Sequence, residues 1–498
     1  MTDRRRATLG VLLGIFLAAV DGTIVSTAMP TVVGSLGGLQ YYSWAFAAYM
    51  LFAAVSMPLY GRLADIYGRK KLFYVGVGFF LVGSVLCGFA QDMLQLVAFR
   101  SIQGVGAGAM FAIPYTILGV VYPPEKRGKA IGLGSSVWGI SSVLGPLLGF
   151  AVVETLGWRW VFFLGIPIGV AAVALVATSL SESTGSADPD VDYLGAATLV
   201  VGVGSLLVGL QLLESASGAA LPLLVVGAVG LAIFYFVERR ASQPLVPLSL
   251  FRDRTFGSTN ATAFLSSFAL FAAITYVPLY VQSVGSGAGS AAVAVFPISI
   301  GWSGTSVLSG QVVARVGERR LVRVGTGILV VSFALAAAVW STTTPLWLLV
   351  GNVFLMGVGM GMLTPPLLTA IQNHLGAERM GLATSSQQFF RNLGGTAGVA
   401  VLGFAMNVTL RDRLAAVPGV ASIGDLQRLL LGPGAPPAGL GAVMMAGLRV
   451  VFVASLGVCL LAAVAAWAVP APGAAGSSPF EEAEPRSAED DDVGAADD

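Results

Sequence analysis

Fourteen apolar runs, about 18 to 28 residues long, follow one another along the chain with short polar breaks between them. They cover 8–32, 44–63, 72–91, 94–119, 130–154, 161–180, 194–213, 221–238, 257–282, 289–313, 321–340, 346–372, 382–407 and 441–468. A helix of that length spans the hydrocarbon core of a bilayer, roughly 30 Å. In hydrocarbon every backbone N–H and C=O must be satisfied, which leaves helices or a closed barrel. Barrel strands alternate apolar and polar positions over about ten residues; these runs do not alternate. The pattern predicts an all-α polytopic membrane protein with fourteen transmembrane helices.

The polar breaks carry the charge, and they carry it unevenly. Arg4–Arg6, Arg62, Arg69–Lys71, Lys126, Arg127, Lys129, Arg239, Arg240, Arg252, Arg254, Arg315, Arg319, Arg320, Arg323, Arg379 and Arg486 lie on one side if the breaks alternate, 20 of the 27 Lys and Arg. The other side has four: Arg159, Arg411, Arg413 and Arg428. Positive charge is retained on the cytoplasmic side, so the alternation predicts both termini in the cytoplasm and supports the even helix count. The first run follows "RRR" (4–6) like a signal peptide, but it is too long for one and reads as an uncleaved first helix.

Composition agrees: 56% of the 498 residues are hydrophobic, only 11% are charged, and 64 are glycine. Cys87 and Cys459 fall inside predicted helices and His374 is alone, so no disulfide, metal site or cofactor is expected. No G-x-x-x-x-G-K-[ST] loop for ATP occurs. From Ala471 the chain turns Pro/Gly/Ala/Ser-rich and then acidic, which predicts a disordered tail over 471–498. Arg outnumbers Lys 23 to 4 with abundant Ala and Gly, which suggests a bacterial source and a cytoplasmic membrane.

The chain also repeats. "GRLADIYGRKKLF" (61–73) returns as "GQVVARVGERRLV" (310–322), aligning Gly61 with Gly310, Gly68 with Gly317, and Lys70 and Lys71 with Arg319 and Arg320. "QGVGAGAM" (103–110) returns as "MGVGMGML" (356–363), "PEKRGKA" (124–130) as "AERMGLA" (377–383), and Gly145 meets Gly398. This predicts a six-helix bundle over 1–180, two inserted helices over 181–240 and a second six-helix bundle over 241–470. Parallel repeats of this kind build transporters with a cavity between the halves.

"GRLADIYGRKK", "FRSIQGVGAGAM" (99–110) and "LGPLLG" (144–149), together with "LAAVDGTIVSTAMP" (17–30) and "WRWVFFLGIPIG" (158–169), resemble the motifs of the major facilitator superfamily. Within it they resemble the fourteen-helix drug:proton antiporter family. The resemblance spans about 1–470 and implies a major facilitator-type fold. In the helix-5 motif, Ser141 and Phe150 stand where that family usually has glycine.

Asp21 lies near mid-bilayer in the first helix and is the one acid well inside a span. An acid at that depth is a functional candidate by default, either as proton acceptor or cation site, or as a packing residue held by Thr23 or a neighbouring Arg. Arg100 either snorkels to the surface or, as the resemblance implies, faces the cavity and takes part in proton transfer. In the opening loop, Gly61, Asp65, Gly68, Arg69 and Lys70 form the conformational motif. Gly68 makes the turn, the basic residues suit anionic headgroups, and Asp65 either pairs with Arg69 or sits at a helix N-terminus of the other half. The resemblance implies that this motif latches the halves in the outward-facing state; Ala314 replaces Asp65 in the second copy. Gly145, Pro146 and Gly149 mark either a seal between halves or a tight helix crossing. Expected cavity residues are Trp44, Tyr49, Trp138, Asn260, Tyr276, Tyr280, Gln282, Gln387, Gln388 and Arg391, with Arg391 aligned to Trp138 across the repeat.

These features point to a monomeric, proton-coupled exporter of amphipathic drugs, dyes or biocides, working by alternating access. Its partners are the substrate, protons and membrane lipids, with no nucleic acid. Its energy source is the proton gradient. The alternatives are export of an endogenous lipid, metabolite or natural product by the same fold, and a receptor or scaffold that no longer transports. No nucleophile motif or paired catalytic acids suggest an enzyme.

Overall fold

The computed structural model describes residues 3–38, 41–180, 192–214, 217–242, 244–283, 287–414 and 440–470. Its elements are helices: α1 (Arg4–Leu36), α2 (Tyr42–Tyr67), α3 (Arg69–Gly88), α4 (Met93–Val121), α5 (Pro124–Thr155), α6 (Arg159–Phe163), α7 (Gly165–Ser179), α8 (Tyr193–Glu214), α9 (Ala220–Glu238), α10 (Arg254–Ser283), α11 (Gly287–Val316), α12 (Glu318–Val339), α13 (Leu346–Leu375), α14 (Met380–Leu414) and α15 (Leu440–Ala468). No strand occurs among the described residues. The short α6 and α7 make one span, and each of the fourteen apolar runs has its helix. Thirteen spans are long and apolar enough to cross a membrane by their described residues, and α11, 30 residues long, is the fourteenth. Several helices start on aspartate: Asp3, Asp92, Asp192 and Asp253 each accept a backbone N–H from the first turn, at 2.7–3.4 Å. The acidic tail and the expected inserted-helix boundary at 181 lie outside the described residues.

The sequence repeat is a structural one. Gly104 and Gly108 let α4 press against α2 while Gly106 opens its other side to α3. In the second half Gly357 and Gly361 do the same toward α11, and Gly359 toward α12. Gly145 brings α5 onto α1, and its counterpart Gly398 brings α14 onto α10. The turns match as well: Gly68 at φ 96° and Gly317 at φ 88° occupy the left-handed region that glycine tolerates, between α2 and α3 and between α11 and α12.

Two helix pairs join the halves, α2 with α14 and α5 with α11, again related by the repeat. Gly61 abuts Gly381 and Ser385, and Gly310 abuts Gly128 and Gly132. These contacts lie at the ends nearest Arg62, Arg127 and Arg315, the basic face.

The inserted helices cover one edge of this seam. α8 packs on both α2 and α14, and its Leu199, Val203 and Leu207 are buried with the first-half core. α9 lies outside it, fitted through Gly202, Gly227 and Gly230, with Leu221, Val225, Val229, Ile233 and Phe236 exposed. Such an apolar surface suits lipid. Glu238 at the end of α9 accepts from Val246 N at 2.5 Å, and Leu245 and Val246 join the first-half core.

Candidate functional site

Asp21 sits in the middle of α1 with its carboxylate turned into the first half. It accepts from Arg100 Nη1 at 2.6 Å and from Gln103 Nε2 at 2.8 Å. Arg100 and Gln103 are three residues apart on α4, so one helix face supplies both donors. Arg100 also donates to Gln103 Oε1 at 2.8 Å and through Nε to the Ala45 carbonyl of α2 at 3.2 Å, and its guanidinium lies 4.1 Å from the centre of the Tyr49 ring. The cluster ties α1, α2 and α4 together. Asp21 is 7% exposed and Arg100 1%, so Arg100 does not snorkel. Removing two charges from water is expensive, and a close pair with its remaining lone pairs satisfied offsets that cost. Beside Asp21 is a void of about 20 Å³ lined by Leu17, Phe80, Ser84 and Phe162 among others, room for roughly one water.

Asp65 closes the basic face. Its two carboxylate oxygens accept from the backbone N–H groups of Gly381 at 2.8 Å and Leu382 at 2.9 Å. These are first-turn donors of α14, free of intrahelical partners. The position that would cap α14 from its own chain holds Arg379, which has no acceptor to offer. Asp65 therefore caps a helix of the other half. It also takes a bond from Arg69 Nη2 at 3.2 Å, and the same nitrogen donates to the Ala377 carbonyl at 2.8 Å. Both alternatives for Asp65, the Arg69 pair and the helix N-terminus, are realised together. Arg379 is crowded here: burial, then the like charge of Arg62, lowers its pKa from the ordinary arginine value. Lys70 is turned elsewhere, donating to the Ala177 and Leu180 carbonyls at 2.8 and 2.7 Å, where it closes the end of α7. A second polar bridge crosses the seam beside the α11 pair, from Arg127 Nη1 to Asn373 Oδ1 at 2.8 Å.

Toward the opposite face a cavity of about 430 Å³ opens between α2, α8, α10 and α14. Its wall includes Trp44, Met50, Gln211, Phe271, Thr275 and Asn392. Of the expected cavity residues, Trp44 lines it directly. Arg391 and Gln387 stand on α14 at the seam, and Gln388 donates to the Phe111 carbonyl of the other half at 2.7 Å. Trp138 stacks on Phe111 with ring centres 5.4 Å apart. The other aromatic and amide residues are placed differently. Tyr49 is enclosed under Arg100, Tyr276 donates to the Val399 carbonyl and Tyr280 to the Ser341 carbonyl, each at 2.8 Å. Asn260 donates to its own helix at Phe256. Each thus serves helix packing. The side chain of Gln282 lies outside the described residues.

Gly145 and Gly149 face Thr23, Ile24 and Thr27 of α1, and Thr23 Oγ1 donates to the Ser141 carbonyl at 3.1 Å. Their place is a tight crossing within one half, and Pro146 is exposed beside it. The seal between the halves lies on another face of the same helix, at Gly128, Gly132 and Gly139. Gln103, Asn373, Asn392 and Thr275 are further residues that sequence reasoning missed. Gln103 alone carried a signal, its position one helical turn from Arg100.

The comparisons agree with this architecture. The family model described as Major Facilitator Superfamily matches residues 11–399. The chain is 36% identical to the Multidrug transporter protein MdtP of Bacillus subtilis over 80% of its own length and 74% of that protein's. It is 37% identical to Multidrug resistance protein 3 of the same organism, over 84% of each chain. Among solved structures, the human organic anion transporter MFSD10 (TETRAN) superposes with a TM-score of 0.66 at 16% identity, covering 94% of this chain and 100% of that one, a likeness of fold. With two repeat-related bundles, an inserted pair and this span of matching sequence, the chain belongs to the Major Facilitator Superfamily, a multi-pass membrane transporter of that family.

Proposed function

We propose that the protein is a proton-coupled exporter that moves amphipathic small molecules by alternating access, with both termini in the cytoplasm. The observation that carries this reading is the one-sided opening. The two halves are closed at the basic face by Asp65 and the glycine contacts, and a cavity opens between them at the other. By the charge distribution the basic face is cytoplasmic, so this is the outward-facing state. The multidrug naming of the two Bacillus relatives supports drug-like cargo.

Proton coupling is assigned to Asp21 and Arg100. A proton on Asp21 removes the negative charge that holds Arg100 Nη1, while Arg100 keeps its bonds to Gln103 and Ala45 and its place over Tyr49. The tie between α1 and α4 then weakens. α1 is fastened to α5 at Thr23–Ser141 and at Gly145, and α5 forms half of the seam. A change at Asp21 thus has a packed route to the gate. The carboxylate's burial means that protons enter only when the surrounding helices move.

Proteoliposomes with an imposed pH gradient test this reading. Native protein is expected to move a dye along with the gradient. Asp21→Asn, which keeps the side chain's shape and a carbonyl acceptor, is expected to lose gradient-driven movement while retaining exchange of dye for dye. Native dye movement indifferent to the gradient removes the coupling. An Asp21→Asn variant that couples normally removes the site.

A further inference from the structure

Beside the cavity, α14 carries a charge that the protein does not balance. Arg391 lies on α14 four residues before Gly395, which lines the cavity, and so on the same helix face one turn deeper. It is 9% exposed. Among the described residues no ion pair or hydrogen bond engages its guanidinium, and its nitrogens are not among the enclosed unpartnered atoms. The group is buried laterally yet open to space at the seam. One turn along the helix, Gly395 adjoins the Phe271 ring, and both line the cavity. The one acid deep in the described spans, Asp21, is already taken by Arg100.

A guanidinium at membrane depth without a counter-ion is costly. The cavity beside it offers none: its lining residues are all uncharged. We propose that the missing counter-ion is the cargo: the cavity takes an amphipathic organic anion. Its carboxylate or sulfonate meets the planar fork of Arg391, and its apolar body lies along the cavity wall at Phe271 and Trp44. This rests on the cavity being the transport site and narrows its substrate class.

Three probes that share one ring system separate charge from hydrophobicity: 1-pyrenebutyrate, 1-pyrenebutanol and 4-(1-pyrenyl)butyltrimethylammonium. Binding to the purified full chain is read at equilibrium by energy transfer from tryptophan to pyrene. A charge-assisted contact of ~1.5–3 kcal/mol gives the anion an advantage of about tenfold or more. Native protein is expected to show it, Arg391→Lys to keep only the part due to charge, and Arg391→Gln to bind all three alike. Equal binding of the three by native protein overturns the proposal, as does a preference that survives Arg391→Gln. Should Arg391→Gln fail to fold, the ranking by native protein still decides. Phosphatidylglycerol added to the micelles distinguishes the sources of the anion: displacement of pyrenebutyrate identifies an anionic lipid, its retention a soluble molecule. No pH gradient is used, so loss of coupling in liposomes leaves this result standing. Gradient-driven export of a cationic dye with no preference for the anion sinks this inference alone.

Discussion

Asp21 and Arg100 show what a single pair does in a span. Neither is stable there alone, and each is the other's reason for being tolerated. Arg100→Ala leaves a carboxylate buried with only Gln103 for company, a loss of about 3 kcal/mol by the measure of other broken buried pairs. Asp21→Asn/Arg100→Gln together remove both charges and keep hydrogen-bonding shapes. The double variant is therefore expected to unfold at a higher temperature than Arg100→Ala, measured by thermal denaturation in detergent. Simple addition of the single effects counts against the pair as a unit. The sequence marked both residues by their depth, because hydrocarbon makes any charge conspicuous. It did not show that they meet, since 79 positions separate them and only helix packing joins them. For the same reason the sequence does not show where the phenols of Tyr276 and Tyr280 end. Their helix is apolar on most sides, so nothing in its pattern tells a phenol facing a cavity from one that ends on a neighbour's carbonyl.

Among the elements, the most instructive contrast is between the two copies of the opening motif. Asp65 serves because α14 starts at Met380, which leaves the N–H groups of Gly381 and Leu382 without intrahelical partners. In the other copy the facing helix α5 starts at Pro124, four residues before Gly128. The corresponding N–H groups are already inside the helical ladder. The sequence displayed the substitution by Ala314; the offset between helix starts is what makes a carboxylate useless there. A cysteine at Ser385, in a background with Cys87 and Cys459 replaced, reports on this seam. Labelling from the basic face by a membrane-impermeant maleimide is expected to be slow, and about tenfold or more faster in Asp65→Asn, which weakens two bonds to a charged acceptor. Ala314→Asp is expected to leave the rate unchanged. Slower labelling in Ala314→Asp contradicts the account of the helix starts. The repeated glycines, in contrast, were legible as a pattern: their spacing in both copies is fixed by helices that approach too closely for an added Cβ, so the repeat survives where most other residues differ.

At the scale of the molecule, the closed seam and the open cavity are two ends of one rigid element. Ser385 and Thr396 are eleven residues apart on α14, about 16 Å along its axis. Ser385 is packed against Gly61 at the basic face, and Thr396 lines the cavity toward the other. If the halves rock as bodies, opening one end closes the other, and accessibility at the two positions is anticorrelated. If the seam merely frays, the basic end opens and the cavity stays as it is. The inserted helix α8 bears on this, because it touches α2 and α14 together and lends Leu207, Val208 and Gln211 to the cavity wall. A rocking motion has to slide both partners beneath it. Single cysteines at Ser385 and Thr396, each labelled from its own side of the membrane, separate the two motions. Asp65→Asn is expected to raise labelling at Ser385 and lower it at Thr396 by a comparable factor, since a two-state equilibrium gains in one state what it loses in the other. A rise at Ser385 with Thr396 unchanged is the signature of fraying, and alternating access as described then fails for this protein.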